Sequence, residues 1–149
     1  MRNGESRINS QHSAIIETTF YVRFAETDLM GIVHHSQYIV WMEEGRSDYM
    51  RRKGFTFDQW EKAGVAFAVS EVNVRYQAPA HYSERVTVRT WVESLRSRQI
   101  VFGYEIVNAD TRQCLVTGSV KLITVDQQGN VMVIPAVVQE VLAAGSKVG

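Results

Sequence analysis

Between Arg23 and Asp48 the chain reads RFAETDLMGIVHHSQYIVWMEEGRSD, and the residues in it best suited to chemistry are Asp28, Gly31 and His35. A carboxylate, a glycine and a histidine follow one another into a stretch with helical periodicity. The first amides of a helix have no partner inside the helix, so they stabilise an anion or a developing oxyanion set before them. The spacing therefore predicts a reaction site for a carbonyl substrate. Asp28 is its carboxylate, the helix start near His35 its oxyanion donor, and Gly31 part of the loop between. A purely local reading stands beside this one, because aspartate also favours Asx turns and caps in loops that precede helices. Glu26 reads as a solvated loop carboxylate, His34 as pointing away from its neighbour, and His81 as a loop residue. Two adjacent histidines do not converge on one ion and no third ligand is suitably spaced, so no metal site is expected. No Ser-His-Asp or Cys-His set offers a rival nucleophile.

These residues need elements to hold them. Alternation predicts a strand over Ile15–Phe24, with Thr18, Phe20, Val22 and Phe24 on one face. Ser36–Lys53 predicts a helix whose stripe of Tyr38, Trp41, Met42, Gly45 and Tyr49 packs on a sheet. Glycine in mid-helix costs about 1 kcal/mol relative to alanine; close approach of another backbone at Gly45 would account for it. Gly54 ends this helix. Thr56 and Gln59 form a capping-box pattern that opens a short helix, Phe57–Ala63.

Strands are predicted over Ala66–Tyr76, Arg85–Val92, Gln99–Val107 and Gln113–Asp126. Val131–Ile134 is either a last strand or irregular. Pro135 opens a closing helix with Val137, Val138, Val141 and Leu142 on one face. Short links make consecutive strands antiparallel. The simplest architecture is α+β, a curved antiparallel sheet wrapped around one long helix. Residues 1–14, with His12, read as a flexible tail, and residues 15–149 as a single domain.

Composition narrows the functions. Lys plus Arg and Asp plus Glu number 16 each in 149 residues, which leaves no basic footprint for a nucleic acid and favours association. Cys114 is the sole cysteine, so no internal disulfide forms, and it reads as a small buried hydrophobe. No apolar run approaches the roughly 18 residues of a membrane span, and no signal-peptide core stands at the start. The expected location is cytoplasmic.

YVRFAETDLMGIVHHSQYIVWMEEGR resembles the N-terminal signature of the hotdog-fold acyl-CoA thioesterases, and VRYQAPAHYSERVTV resembles their second segment. The 4-hydroxybenzoyl-CoA thioesterase type, with its Tol-Pal-associated branch, is the most similar, over roughly Thr18–Ile134. The resemblance implies a hotdog fold, a homodimer or homotetramer paired edge to edge, and a site at the dimer interface. It also implies hydrolysis of an acyl-CoA thioester, with coenzyme A part of the substrate and no separate cofactor. The family's nucleophile or general base falls on Asp28. Its carbonyl-polarising amide falls on His35, where the Tol-Pal-associated branch also has a histidine. That branch has a tyrosine four residues before the aspartate, where this chain has Phe24.

Around this centre, Tyr38, Trp41 and Met42 read as core or as walls of an acyl slot. Ser70 and Glu71 are placed to face the site from a partner subunit. Arg96 and Arg98, in LRSRQ, suit coenzyme A phosphates, since a guanidinium pairs with phosphate through two bonds. Two rival functions keep the fold: hydration or dehydration of an acyl thioester, and a module that holds acyl-CoA or acyl carrier protein without turnover.

Overall fold

The structure of the protein, a computed structural model, describes residues 14–145. The predicted tail, apart from Ala14, lies outside the described residues, as does His12. The elements in order are β1 (Ile16–Tyr21), a 3-10 turn (Phe24–Glu26), α1 (Gln37–Arg52), α2 (Phe57–Ala63), β2 (Ala66–Tyr76), β3 (Arg85–Leu95), β4 (Gln99–Asn108), β5 (Cys114–Val125) and α3 (Ala136–Gly145). The strands form one antiparallel sheet of five in the order β1-β3-β4-β5-β2, with β2 at one edge. This is the α+β hotdog architecture. Among the described residues no helix is long and apolar enough to cross a membrane.

Periodicity explains most of these elements. Tyr38, Trp41, Met42, Gly45 and Tyr49 are all buried along α1. They meet the inward rows of the sheet, which include Val86, Val88, Ile100, Phe102, Tyr104 and Ile106. Thr18, on the inward face of β1, donates its hydroxyl to Asp48 of α1 at 2.6 Å. Gly54 follows α1 at φ +88°, and Gly64 ends α2 in the left-handed conformation. Gln59 accepts from the Thr56 amide at 2.9 Å, as the capping pattern requires.

Several expectations are corrected. β1 stops at Tyr21, and the chain then turns through the 3-10 segment, so Phe24 leaves the sheet's inward face. It is 70% exposed and meets Tyr82 edge to face at 5.4 Å. β3 runs on to Leu95. Val131 makes a single bridge to Val125, and no strand follows it. Val137 is exposed, so the face α3 buries is carried by Val138 and Leu142. Cys114 is half-buried rather than buried, and stands opposite Val107 where the β4–β5 register shifts.

Gly45 sets how close α1 lies to the sheet. A Cβ there would stand 2.5 Å from Thr90 Oγ1 and 2.8 Å from Val88 Cγ1. The close neighbours are therefore side chains of β3, not a backbone. A second contact repeats the constraint: a Cβ on Gly118 would stand 2.5 Å from the Asn73 carbonyl oxygen and 2.9 Å from Met42 Cε.

On an exposed helix, Gly45→Ala would stabilise by about 1 kcal/mol. Here the added methyl group overpacks the helix–sheet contact, a change that typically costs about 1–3 kcal/mol. Gly45→Ala is expected to lower the urea midpoint with the slope unchanged. A raised midpoint would show that the helix does not lie this close.

Candidate active site

The loop between β1 and α1 is built as a small hairpin. Thr27 and Val33 pair as an isolated antiparallel bridge, and the Asp28 amide donates to the Ile32 carbonyl at 2.9 Å. The Gly31 amide donates to the Asp28 carbonyl at 3.1 Å, and Gly31 sits at φ +75° with open space around its Cα. Glycine is needed there for its backbone conformation, not for room. Its N–H is already bonded, so Gly31 shapes the turn and is not an oxyanion donor.

Asp28 is exposed. Its Oδ1 accepts from the Met30 and Ile32 amides at 2.8 and 3.1 Å, which is the Asx-turn geometry of the local reading. Oδ2 has no hydrogen bond among the described residues. The turn thus fixes the carboxylate by one oxygen and presents the other. The Ile32 and Met30 amides, with a smaller contribution from nearby His34, hold its pKa below the usual carboxylate value. A carboxylate so held stays ionised at neutral pH. His34, expected to point away, is close enough to act on it electrostatically.

Glu26 departs furthest from expectation. It is 6% exposed, not solvated. Its Oε1 accepts from the Arg23 amide at 2.8 Å, and its Oε2 accepts from Arg23 Nη2 at 2.7 Å and Trp41 Nε1 at 2.9 Å. Burial by itself pushes its pKa up. The bonds from Arg23 and Trp41 outweigh it, and the net displacement is downward. Sequence pattern could not foresee this, because the partner indole is fifteen residues away on α1.

His35 lies just before Ser36, the residue that caps α1, and is exposed. Its backbone N–H has no acceptor among the described residues. Its carbonyl accepts from the Tyr76 hydroxyl at 2.8 Å, and its ring meets that of Tyr76 edge-on at 6.5 Å. A pocket of about 320 Å³ opens here, walled by Val33, His35, Tyr38, Tyr76, Ala78 and Pro79 among others. Tyr38 is buried, and its hydroxyl oxygen accepts from the Ala80 amide at 2.9 Å. Tyr76, at the end of β2, is a wall that sequence reasoning missed. In the sequence it stands as the tyrosine that closes the strand in VRYQAPAHYSERVTV, with no role assigned.

The other candidates scatter. Trp41 and Met42 are 1% and 0% exposed and belong to the core, and neither lines the pocket at His35. Ser70 lies exposed at a bulge between Val69 and Glu71 in edge strand β2. The bulge shifts the alternation, so Glu71 stands opposite Lys121 on the outer face of the sheet, 3.2 Å from its ammonium. Glu71 therefore does not face the site side of its own sheet. Arg96 and Arg98 are exposed in the β3–β4 turn, at the end of the sheet far from Asp28.

That far end holds a larger cavity of about 690 Å³, walled by Glu43, Arg46, Met50, Trp60 and Phe67 among others. Arg46 Nη1 donates to the Tyr104 hydroxyl at 3.2 Å. Burial drives the Tyr104 pKa up to about 12, so this phenol stays neutral. The site around His35 is the smaller cavity, and the larger one lies away from Asp28 in the protomer.

Residues 22–142 match the thioesterase-like superfamily, and the chain belongs to that family. The sequence is 46% identical over 87 residues to a putative acyl-CoA thioesterase, YneP, of Bacillus subtilis, over 58% of this chain and 63% of the relative's length. It is 33% identical over 89 residues to the acyl-CoA thioester hydrolase YbgC of Escherichia coli, over 60% of this chain and 66% of that one. Both matches thus span slightly less than two thirds of the relative. Among solved structures, a DHNA-CoA thioesterase from Staphylococcus aureus superposes with a TM-score of 0.75 at 35% identity, covering 80% of each chain.

A carboxylate whose folded pKa is lowered contributes stability above its unfolded value and loses it as pH falls through the folded value. For Glu26 the ordinary value is 4.5. Wild type is expected to be more stable than Glu26→Gln at pH 7, and the gap should close as the pH is taken below about 4.5. Urea midpoints of the two proteins against pH measure it. A gap that widens on acidification would show the opposite shift.

Proposed function

We propose that the protein hydrolyses an acyl-CoA thioester to a free acid and coenzyme A. The observation that carries this reading is an ionised Asp28, fixed through one oxygen with the other available, in the same loop-and-helix unit as an unbonded His35 amide. The amide polarises the thioester carbonyl and takes up the negative charge that develops on its oxygen; one such donor is typically worth about 3–4 kcal/mol. Asp28 either attacks the carbonyl carbon or takes a proton from the water that does. In both routes the C–S bond breaks, the thiolate leaves and is protonated, and one water is consumed overall. The apolar pocket beside His35 suits an acyl or pantetheine chain. The names of the relatives agree with this chemistry.

We further propose that the working unit is at least a dimer. Edge strand β2 turns Val69, Val72 and Tyr76 toward the concave face, where they remain 56%, 37% and 46% exposed. Helix α1 packs chiefly over β3 and β1, and of that row Tyr76 alone has a ring or hydrogen-bond contact to the helix start among the described residues, through Tyr38 and His35. Ile39 and Val40 on α1 are exposed as well. A long apolar edge with unpaired backbone groups is a template for another strand. Two β2 strands paired about a two-fold axis run antiparallel, so the Ala66 end of one meets the Tyr76 end of the other. The two ends are roughly 33 Å apart in one protomer. Such pairing would bring the larger cavity, with Arg96 and Arg98 of the partner subunit, toward the His35 pocket. It would also cover Asp28, which a lone protomer leaves in water.

The decisive assay is thiol release from a panel of acyl- and aroyl-CoAs. Asp28→Asn is expected to lower kcat by about 10²–10⁴-fold; equal rates would remove Asp28 from the mechanism. Enoyl product without free thiol would favour hydration chemistry, and tight binding without turnover a holding role. Val72→Lys is expected to shift sedimentation from dimer to monomer and to abolish thiol release. A dimer that survives this change would exclude β2 pairing.

A further inference from the structure

We propose that Glu26 is a positioning residue, whose buried carboxylate locks the loop carrying Asp28 and the His35 amide to helix α1. The inference rests on the thioesterase reading above and adds a residue to it.

The lock has two halves. On the loop side, Glu26 stands at the stem of the hairpin. Its carboxylate holds the backbone and guanidinium of Arg23 on one strand of the stem, and its own carbonyl accepts from the His34 amide at 3.0 Å on the other. On the helix side, Oε2 accepts from the Trp41 indole. That ring is itself wedged edge-on between Phe20 at 5.5 Å and Tyr38 at 5.0 Å, so it has no freedom to follow a moving loop. Between the two halves lie the seven residues from Asp28 to His34, closed by the Thr27–Val33 bridge. The His34 amide is taken by Glu26, and that of His35, the next in the chain, has no acceptor among the described residues.

The chemistry of the contact calls for a carboxylate. Every group that reaches Glu26 is a donor: two N–H groups of Arg23 and one indole N–H. An ionised carboxylate accepts only, and has lone pairs for all three. A glutamine would aim its NH2 at one of these donors, opposing donor to donor. An aspartate keeps the acceptor character but is one methylene shorter, so it reaches part of the set. Apolar packing alone would serve the core equally well but would leave Arg23 and Trp41 unbonded. Displacement of catalytic groups by about 1 Å can cost about 10²-fold in rate.

The test compares Glu26→Gln, Glu26→Asp and Trp41→Phe with Leu142→Ala, a core truncation on α3. Amide exchange is read at Met30 and Ile32, and thiol release gives kcat and KM. Glu26→Gln is expected to lower kcat by at least about tenfold, with KM within about threefold, and to speed exchange at both loop amides. Glu26→Asp should recover part of kcat. Trp41→Phe should act in the same direction, and the Glu26→Gln/Trp41→Phe double variant should be no slower than the slower single, because the two act through one bond. Leu142→Ala, at a similar loss of urea midpoint, should leave kcat and loop exchange near wild type. The inference is overturned if folded Glu26→Gln keeps wild-type kcat, if the double variant is additive, or if Leu142→Ala matches Glu26→Gln. Should Glu26→Gln fail to fold, Trp41→Phe alone decides by the same readouts. Absence of thiol release from every acyl-CoA tried would sink the thioesterase reading, whereas full activity in Asp28→Asn would remove Asp28 from the mechanism and this inference with it. An inactive Asp28→Asn beside a fully active Glu26→Gln would sink this inference alone.

Discussion

The close seating of α1 on the sheet is the constraint on which the rest of the structure depends. Two glycines set it, Gly45 on the helix and Gly118 on β5. A helix lifted by one methyl group would carry its N-terminus away from the loop that must meet it. The interior is close-packed and transmits such a shift instead of absorbing it. Position and direction of the His35 amide therefore follow from contacts along the helix further from the chemistry.

The loop contributes its own order, and it does so with polar groups. A buried carboxylate is costly unless it is fully bonded, and hydrogen bonds to a charged group are worth about 1.5–3 kcal/mol each. Glu26 meets that condition with three donors. Asp28, two residues on, lies in water with a backbone turn around one oxygen. Two acidic residues in the same five-residue run thus occupy opposite environments. One is withdrawn into the core to hold the loop, and one is left facing solvent. The 3-10 turn that ends β1 early is what rotates them apart.

The pocket at His35 is small and open, the larger cavity sits at the opposite end of the molecule, and an apolar edge strand runs between them. Burying Val69, Val72 and Tyr76 against a second copy would satisfy the edge and enclose the carboxylate in one step. On the proposed function, a site divided in this way would make assembly a condition of activity.

The sequence by itself determined the elements and their faces. Period-2 and period-3.6 patterns are local, so β2, α1, α2 and most core residues could be read from the chain. So could the loop, since Asp28, Gly31 and the helix start are neighbours in sequence. What only the tertiary structure decided depends on residues far apart. The burial of Glu26 needs Trp41. The outward turn of Glu71 needs a bulge that no local propensity announces. The burial of Trp41 and Met42 in the core follows from which side of α1 meets the sheet. Tyr76 joins the site because the far end of β2 returns to the helix start. Patterning fixes which face of an element is apolar, whereas three-dimensional packing alone fixes what that face and its polar neighbours come to touch.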